Sequence, residues 1–424
     1  MDFAKRLIRP KGRRFFYADP GLKDKGGHHA GYCRAIVDEL LSRGLQTEIL
    51  AFAGISRELQ QELGAVPFFR AYTYWTTDGD PICGWLNRFD KAVQETVEDL
   101  ERLDDLNNDD IVFLISVQAA QLMAAVQWLD GLEPRRRPRV MVDFVEDAGL
   151  DAVPQGNGVA FATRDPRMDP RAVLYRFAGS QMANAETGSL RLFAAEQWMS
   201  VAYSFLLKRP VELFPTPQVP FKTVTNRVGR RPITLAVLGY QRAVKGYSLV
   251  PDIVEMLLAA NADIRFLAHN SNPVETGDLQ ARMRQIAERN PRLTLDERVL
   301  QDDQWAEVLE RVDIILCPYN LFQYAACCSG VAFDALANGI PLVMPKGSSL
   351  ERLVEEFGSG GTVFEAHAVD SIVEAALRAV AGFDDMAAKS FQAAGKWAQQ
   401  RGPKASVDTL LSIDPVTTEG ACRS

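Results

Sequence analysis

The sequence predicts an α/β protein made of two doubly wound parallel-sheet domains that face each other across a cleft. Three observations carry this. Short apolar runs alternate with longer segments of helical period along the whole chain. The alternation is interrupted by a Pro-rich stretch, "FPTPQVPFKTVTNRVGRRP", and then begins again. The 424 residues suffice for two or three domains with large cores.

In the first half, the short apolar runs "RFFYA", "QTEILAF", "VPFFRAY", "DIVFLIS" and "RVMVDFV" read as strands. Between them, "YCRAIVDELLSRG", "LNRFDKAVQETVEDLERL" and "AAQLMAAVQWL" have helical period. In the first of these, Ile36, Leu40 and Leu41 form one apolar stripe, and Gly44 stands where a C-cap glycine belongs. The stretch from Glu146 to Gly188, rich in Gly, Pro and Asp, reads as irregular, either a functional loop or surface elaboration. "SLRLFAAEQWMSVAYSFLL" then supplies one more strand and helix. Beyond the Pro-rich linker the strands are "ITLAVLG", "DIRFLAH", "RLTL", "DIILCPY", "IPLVMP" and "GTVF". Their helices include "GYSLVPDIVEMLLAA", "DLQARMRQIAERN" and "DDQWAEVLERV". The expected division is 1–220, 221–382 and a helix-rich tail, 383–424, broken at Gly402-Pro403.

Composition excludes several classes. A net charge of −8 argues against a general nucleic-acid binder. Two local basic runs, "KRLIRPKGRR" and "PRRRPR", are either solvated surface or anchors for an anionic surface. No apolar run reaches the ~18 residues of a membrane span, and the first residues carry too much charge for a signal-peptide core. The expectation is a cytoplasmic protein, with peripheral contact at the inner face of a membrane left open. The six cysteines form no CxxC pair, and the four histidines show no metal-ligand spacing, so neither a structural metal nor a disulfide framework is expected.

Open parallel sheets bind ligands outside the carboxyl ends of their strands, so three strand-to-helix loops matter most. In "DPGLKDKGGHHAGY", Gly26 and Gly27 precede a helix starting near His28 or His29, where free amides suit an anion; a plain turn with exposed histidines is the simpler alternative. In "LGYQRAVKG", Arg242 and Lys245 precede a helix, and a planar fork plus a point charge suits a diphosphate. Two cations are otherwise unfavourable at a helix start. In "CPYNLFQYAACCSGVAFDALANGIPLVMP", Tyr319 lies in a polar-aromatic loop, Ser329 caps a helix, Gly330 lets the backbone approach a ligand, and Val331 beside it is a further binding candidate. Asp334, one turn further, faces the same cleft and is placed to hold ribose hydroxyls.

With these three segments in hand, residues 233–345 resemble the nucleotide-binding domain of GT-B-fold glycosyltransferases, especially glycosyltransferase family 4 (glycosyl transferases group 1) and its glycogen-synthase-like relatives. "LGYQRAVKG", "DDQWAEVLERVDIILCPY" and "SGVAFDALANGIPLVMP" parallel the family's landmarks in order and spacing. The resemblance implies two Rossmann-like domains, with the tail from Phe383 crossing back to the first. It implies transfer of a sugar from a UDP- or GDP-linked donor to a glycan, lipid or protein acceptor, with retention, without metal and without a further cofactor. Arg242 and Lys245 would neutralise the diphosphate, Asp334 would bind the ribose, and backbone near Arg298 and Val299 would meet the base. Gly26, Gly27 and His28 would close over the donor from the other domain.

The chain departs from the family pattern at three positions. Ala326 stands where the first glutamate of Glu-x₇-Glu belongs, Asp334 shortens the second, and Ser116 and Gln118 replace a histidine common after the fourth strand. On the acceptor side the candidates are His29, Ser116, Gln118, Glu146 and Asp147, the last two being either grips for a sugar hydroxyl or plain loop carboxylates. Two alternatives share the scaffold: a nucleotide-sugar epimerase using Glu146, Asp147 and His28, and a non-catalytic binding protein, suggested by Ala326.

Overall fold

The structure is a computed structural model and describes residues 13–25, 28–74, 83–155, 158–185, 189–220 and 222–412. The first domain runs β1 (Arg14–Asp19), α1 (His29–Ser42), β2 (Gln46–Phe52), α2 (Arg57–Leu63), β3 (Val66–Phe69), α3 (Cys83–Leu100), β4 (Ile111–Leu114), α4 (Ala119–Gly131), β5 (Arg139–Phe144), β6 (Leu150–Gln155), β7 (Gly158–Thr163), α5 (Arg171–Asn184), β8 (Leu190–Ala194), α6 (Gln197–Leu207) and β9 (Glu212–Leu213). The second runs β10 (Ile233–Val237), α7 (Val250–Ala260), β11 (Ile264–His269), α8 (Gly277–Arg289), β12 (Leu293–Asp296), α9 (Asp302–Arg311), β13 (Ile314–Leu316), α10 (Leu321–Tyr324), α11 (Gly330–Ala337), β14 (Leu342–Pro345), α12 (Ser349–Phe357), β15 (Gly361–Phe364) and α13 (Val369–Ala381). Two helices follow, α14 (Phe383–Gln400) and α15 (Pro403–Leu411).

Each domain is one parallel sheet covered by helices. The first has seven strands in the order β3-β2-β1-β4-β5-β8-β9, the second six in the order β12-β11-β10-β13-β14-β15. Parallel strands covered on both faces should read as unbroken apolar runs, and "IVFL" and "LVMP" are buried at every position. Alternation within the strands sorts the core. Phe16, Leu114 and Val142 point towards α4, α5 and α6, whereas Tyr17, Phe113 and Met141 point towards α1. In both sheets the direction of progression reverses beside the first strand, between β1 and β4 and between β10 and β13. The loops after those four strands therefore open side by side, two in each domain.

Within the stretch expected to be irregular, the described residues include regular elements. Strands β6 (Leu150–Gln155) and β7 (Gly158–Thr163) pair antiparallel as a hairpin, and α5 follows. Pro154 and the Gly-Asn-Gly at 156–158 hid the strand alternation, although Asn-Gly between apolar runs is itself a hairpin signal. The hairpin leans on the second domain, where Ala152 packs against Ala325 and Ala326.

Polar bridges hold the domains face to face. Glu196 caps α6 by accepting from the backbone of Trp198 and Met199 at 2.8 and 3.2 Å. The same carboxylate takes the Arg352 guanidinium of α12 at 2.6 Å. Arg352 lies 3.8 Å from the centre of the Trp198 ring and donates to the Ala325 carbonyl at 2.5 Å. Arg34 of α1 reaches Asp302 at the start of α9 at 2.7 Å. The tail adds a third link: α14 buries Trp397 against Phe333 and Phe357 of the second domain, and α15 buries Val407 and Leu410 in the core of the first.

A candidate nucleotide-sugar cleft

In the first domain, the loop after β1 brings the two histidines to different ends. His29 is buried, and its Nδ1 donates to both Asp19 oxygens at 2.9 Å while Nε2 meets the Tyr74 hydroxyl at 2.9 Å. A carbon added at Gly21 would stand 2.2 Å from the His29 ring, so this turn requires glycine. His29 thus braces the loop from inside, with no ring nitrogen left for a ligand. His28 stacks on it at 4.3 Å and places Nε2 3.3 Å from Ser116 Oγ. Loss of solvation, then the neighbouring His29, hold the His28 imidazole well below its ordinary pKa, so it is neutral at neutral pH. Gly26 and Gly27 lie outside the described residues.

Ser116 has φ of +54°, a left-handed turn that directs its hydroxyl at His28. Gln118 caps α4 and donates to Glu146 Oε2 at 3.0 Å. Burial pushes the Glu146 carboxyl up, and Arg171, with Arg242 from the facing domain, pulls against that. Asp147 is differently placed: Arg164 and Arg171 hold its two oxygens at 2.7 and 3.1 Å, and the Gly149 amide adds a bond at 2.9 Å. It anchors the hairpin rather than opening to the cleft, and the two arginines that claim it had no signal in the sequence.

In the second domain, the expectation that Arg242 and Lys245 lead directly into a helix is corrected. Arg242 precedes and Lys245 ends a 3₁₀ turn, Ala243–Lys245; after Gly246 a second 3₁₀ turn, Tyr247–Leu249, runs into α7 at Val250. What fixes the first turn is the loop after β13. The Asn320 amide donates to the Val244 carbonyl at 2.9 Å, and Gly246, at φ +70°, lies so close to Pro318 that an added carbon would meet its carbonyl oxygen at 1.8 Å. Lys245 points past Gly239 towards the Tyr319 ring, 5.8 Å from its centre. Withdrawal from water lowers its ammonium to about 8. Arg242 is exposed and stacks on Tyr240 at 4.8 Å. Among the described residues, neither cation has a carboxylate partner.

Ser329 caps α11 through the Ala332 amide at 3.3 Å and meets the Tyr319 hydroxyl at 3.4 Å. Open space lies over Gly330, and Val331 packs beside Gly239, so the two switch-point loops touch. His269, which the sequence did not single out, accepts from the Gly239 amide at 3.1 Å and donates from Nε2 to the Arg298 carbonyl at 2.8 Å. It thereby sets the Arg298 backbone, while the Arg298 side chain turns away to Asp296 and Val299 is exposed. Arg242, Lys245, Tyr319, Ser329, Gly330 and Val331 are thus brought together, with Arg298 and Val299 beyond His269.

Asp334 is buried behind this group with both oxygens engaged. Gln218 of the linker donates to one at 2.5 Å and the Trp305 indole to the other at 2.9 Å. Burial raises the carboxyl to about 7, against the pull of these two donors. Ala326, at the position of the family's first glutamate, is covered by Ala152 of the hairpin, so a carboxylate there would be sealed against apolar surface. Asp334→Asn should destabilise the fold by about 1–3 kcal/mol in urea denaturation, because one of the two N–H donors then faces an amide NH₂. An unchanged midpoint would mean that these bonds carry no weight.

No protein-family model matches the chain, and no curated protein sequence matches it. Solved structures do. HepE of Anabaena, in complex with UDP, superposes with a TM-score of 0.60 at 12% identity over 94% of this chain and 98% of that one. Sucrose-phosphate synthase of Thermosynechococcus elongatus gives 0.61 at 12% over 93% and 96%. A putative UDP-N-acetylglucosamine 2-epimerase of Listeria monocytogenes gives 0.53 at 12% over 94% of both. At such identity the likeness speaks to architecture. Two parallel sheets opening on one cleft, matched over nearly the whole chain, identify the fold as GT-B.

Proposed function

We propose that the protein is a nucleotide-sugar-dependent glycosyltransferase whose donor diphosphate binds between Lys245, Arg242 and the start of α11. The observation that carries this reading is the pair of cations at the switch point of the second sheet, neither of them ion-paired with a carboxylate among the described residues. An ammonium withdrawn from water and a fork stacked on tyrosine are preorganised for a dianion. The solved structures with UDP and UDP-glucose on the same fold support the choice of ligand class.

In the reaction, the bond from the anomeric carbon to the diphosphate oxygen breaks and a bond to an acceptor hydroxyl oxygen forms. Charge grows on the leaving diphosphate as its bond breaks, and its oxygen takes up the acceptor hydroxyl's proton. Arg242, Lys245 and the amides at Gly330 and Val331 stabilise that charge. We assign no metal and no cofactor beyond the nucleotide sugar, and take retention as the outcome. Neutral His28, paired with Ser116, faces the transferred sugar, and Glu146, oriented by Gln118, meets the acceptor, a glycan, a lipid-borne sugar or a protein. The Arg298–Val299 backbone meets the base. The ribose reaches Asp334 only by sharing it with Gln218 and Trp305.

The epimerase reading needs several free carboxylates around the sugar. Asp147 is committed to Arg164 and Arg171, which leaves Glu146 alone and favours transfer. Absence of solvent deuterium at sugar C2 after incubation would support transfer, whereas its incorporation would select epimerisation.

Arg242→Ala and Lys245→Ala should each weaken UDP or GDP binding by about 1.5–3 kcal/mol in calorimetry. Parental affinity in both variants would remove the diphosphate from this site. The binding should also depend on pH. Lys245 is protonated below about 8, so affinity is full at pH 7 and falls roughly tenfold by pH 9 as the charge is lost. Lys245→Arg, charged throughout, should lack that fall, and a fall of equal size in it would assign the titration elsewhere.

A further inference from the structure

On one outer face of the first domain, α5 and α6 present apolar and basic side chains and contain no Asp or Glu. Exposed Val173 and Phe177 lie one turn apart on α5, and exposed Val201 and Phe205 one turn apart on α6. Arg176 of α5 reaches over the Phe205 ring of α6, and ring contacts extend the surface on either side: Phe177 meets Phe89 of α3 at 6.5 Å, and Phe205 stacks with Phe161 of β7 at 6.2 Å. Phe177 is 50% and Phe205 43% exposed, far more than isolated core aromatics show.

The charged side chains of α5, and Lys208 at the end of α6, are all basic. Arg176 of α5 and Lys208 at the end of α6 bracket the Phe205 ring at 5.8 and 4.4 Å. Arg176 donates to Thr163 Oγ1, and among the described residues neither cation has a carboxylate partner. Neither helix contains an Asp or Glu in its fourteen or eleven residues, although the chain has 55 acidic residues among 424. Aromatic rings flanked by cations, without carboxylates, complement an anionic interface whose interior is apolar.

We infer that this face of α5 and α6 docks the protein on an anionic lipid bilayer. The patch is continuous with the cleft, because Phe161 also packs with Ala152, Ala325 and Ala326 at its rim. Docking there sets the acceptor side of the cleft beside the headgroups, so the acceptor class is a sugar carried by a lipid. That last step rests on the glycosyl-transfer reading, whereas the docking does not.

The test is co-sedimentation of the full chain with vesicles of phosphatidylglycerol and phosphatidylcholine, against vesicles of phosphatidylcholine alone. The parent should bind the anionic vesicles. Phe177→Ser with Phe205→Ser, and separately Arg176→Glu with Lys208→Glu, should each bind them at least about tenfold more weakly. All these side chains are exposed, so thermal midpoint and UDP binding should match the parent and exclude misfolding. The cations of residues 1–12 are common to every protein compared. Parental vesicle binding in both double variants would overturn the proposal, as would a parent that ignores anionic vesicles. Self-association of the parent, abolished by the phenylalanine changes without any vesicle binding, would assign the face to a second copy instead. A protein that docks but transfers no sugar would keep the docking face and discard the glycosyltransferase.

Discussion

The geometry of the cleft depends on the Glu196–Arg352 pair. Glu196 terminates the strand-to-helix loop after β8 and caps α6, while Arg352 belongs to α12 of the other domain. The carboxylate is 2% exposed, and removing one partner of such a pair typically costs about 3–5 kcal/mol, because the remaining charge stays buried. The pair also specifies position. By donating to the Ala325 carbonyl, Arg352 fixes the loop that leads to Ser329 and α11. A contact between domains therefore sets the aim of a helix N-terminus inside one of them.

The two walls of the cleft differ in how their charges are committed. On the wall of the first domain, three carboxylates are held: Asp19 by His29, Asp147 by two arginines, Glu146 by Gln118. On the opposite wall, among the described residues, Arg242 and Lys245 have no carboxylate within ion-pair distance. An anion entering this space meets attraction from one side and fixed, neutralised groups on the other, so its orientation follows from the walls themselves. The arrangement also explains the low ammonium of Lys245, which has lost water without gaining an anion.

Much of this was legible in the sequence, because the informative features were local. The parallel strands announced themselves as apolar runs, and the loops after β1, β10 and β13 were found as strand ends, while Ser116 and Gln118 after β4 entered through the family resemblance. What stayed hidden was long-range pairing. Nothing near Asp334 signals that Gln218, 116 positions away, will occupy one of its oxygens. Nothing near His29 distinguishes it from His28, yet Asp19 and Tyr74 confine the first to a structural task and leave the second at the cleft. The 3₁₀ turn at Ala243–Lys245 was misread for a related reason. Its shape comes from Pro318 and Asn320 pressing on Gly246 and Val244, and not from the residues of the turn.

The path of the last two helices bears on how the chain is made. Val407 and Leu410 of α15 are fully buried in the core of the first domain, and Arg43 of α1 pairs with Asp408 at 2.6 Å. That core receives these side chains only after the whole second domain has been synthesised. During translation the first domain therefore waits with the α1 side of its sheet uncovered, a sticky surface for chaperones to shield until α15 leaves the ribosome.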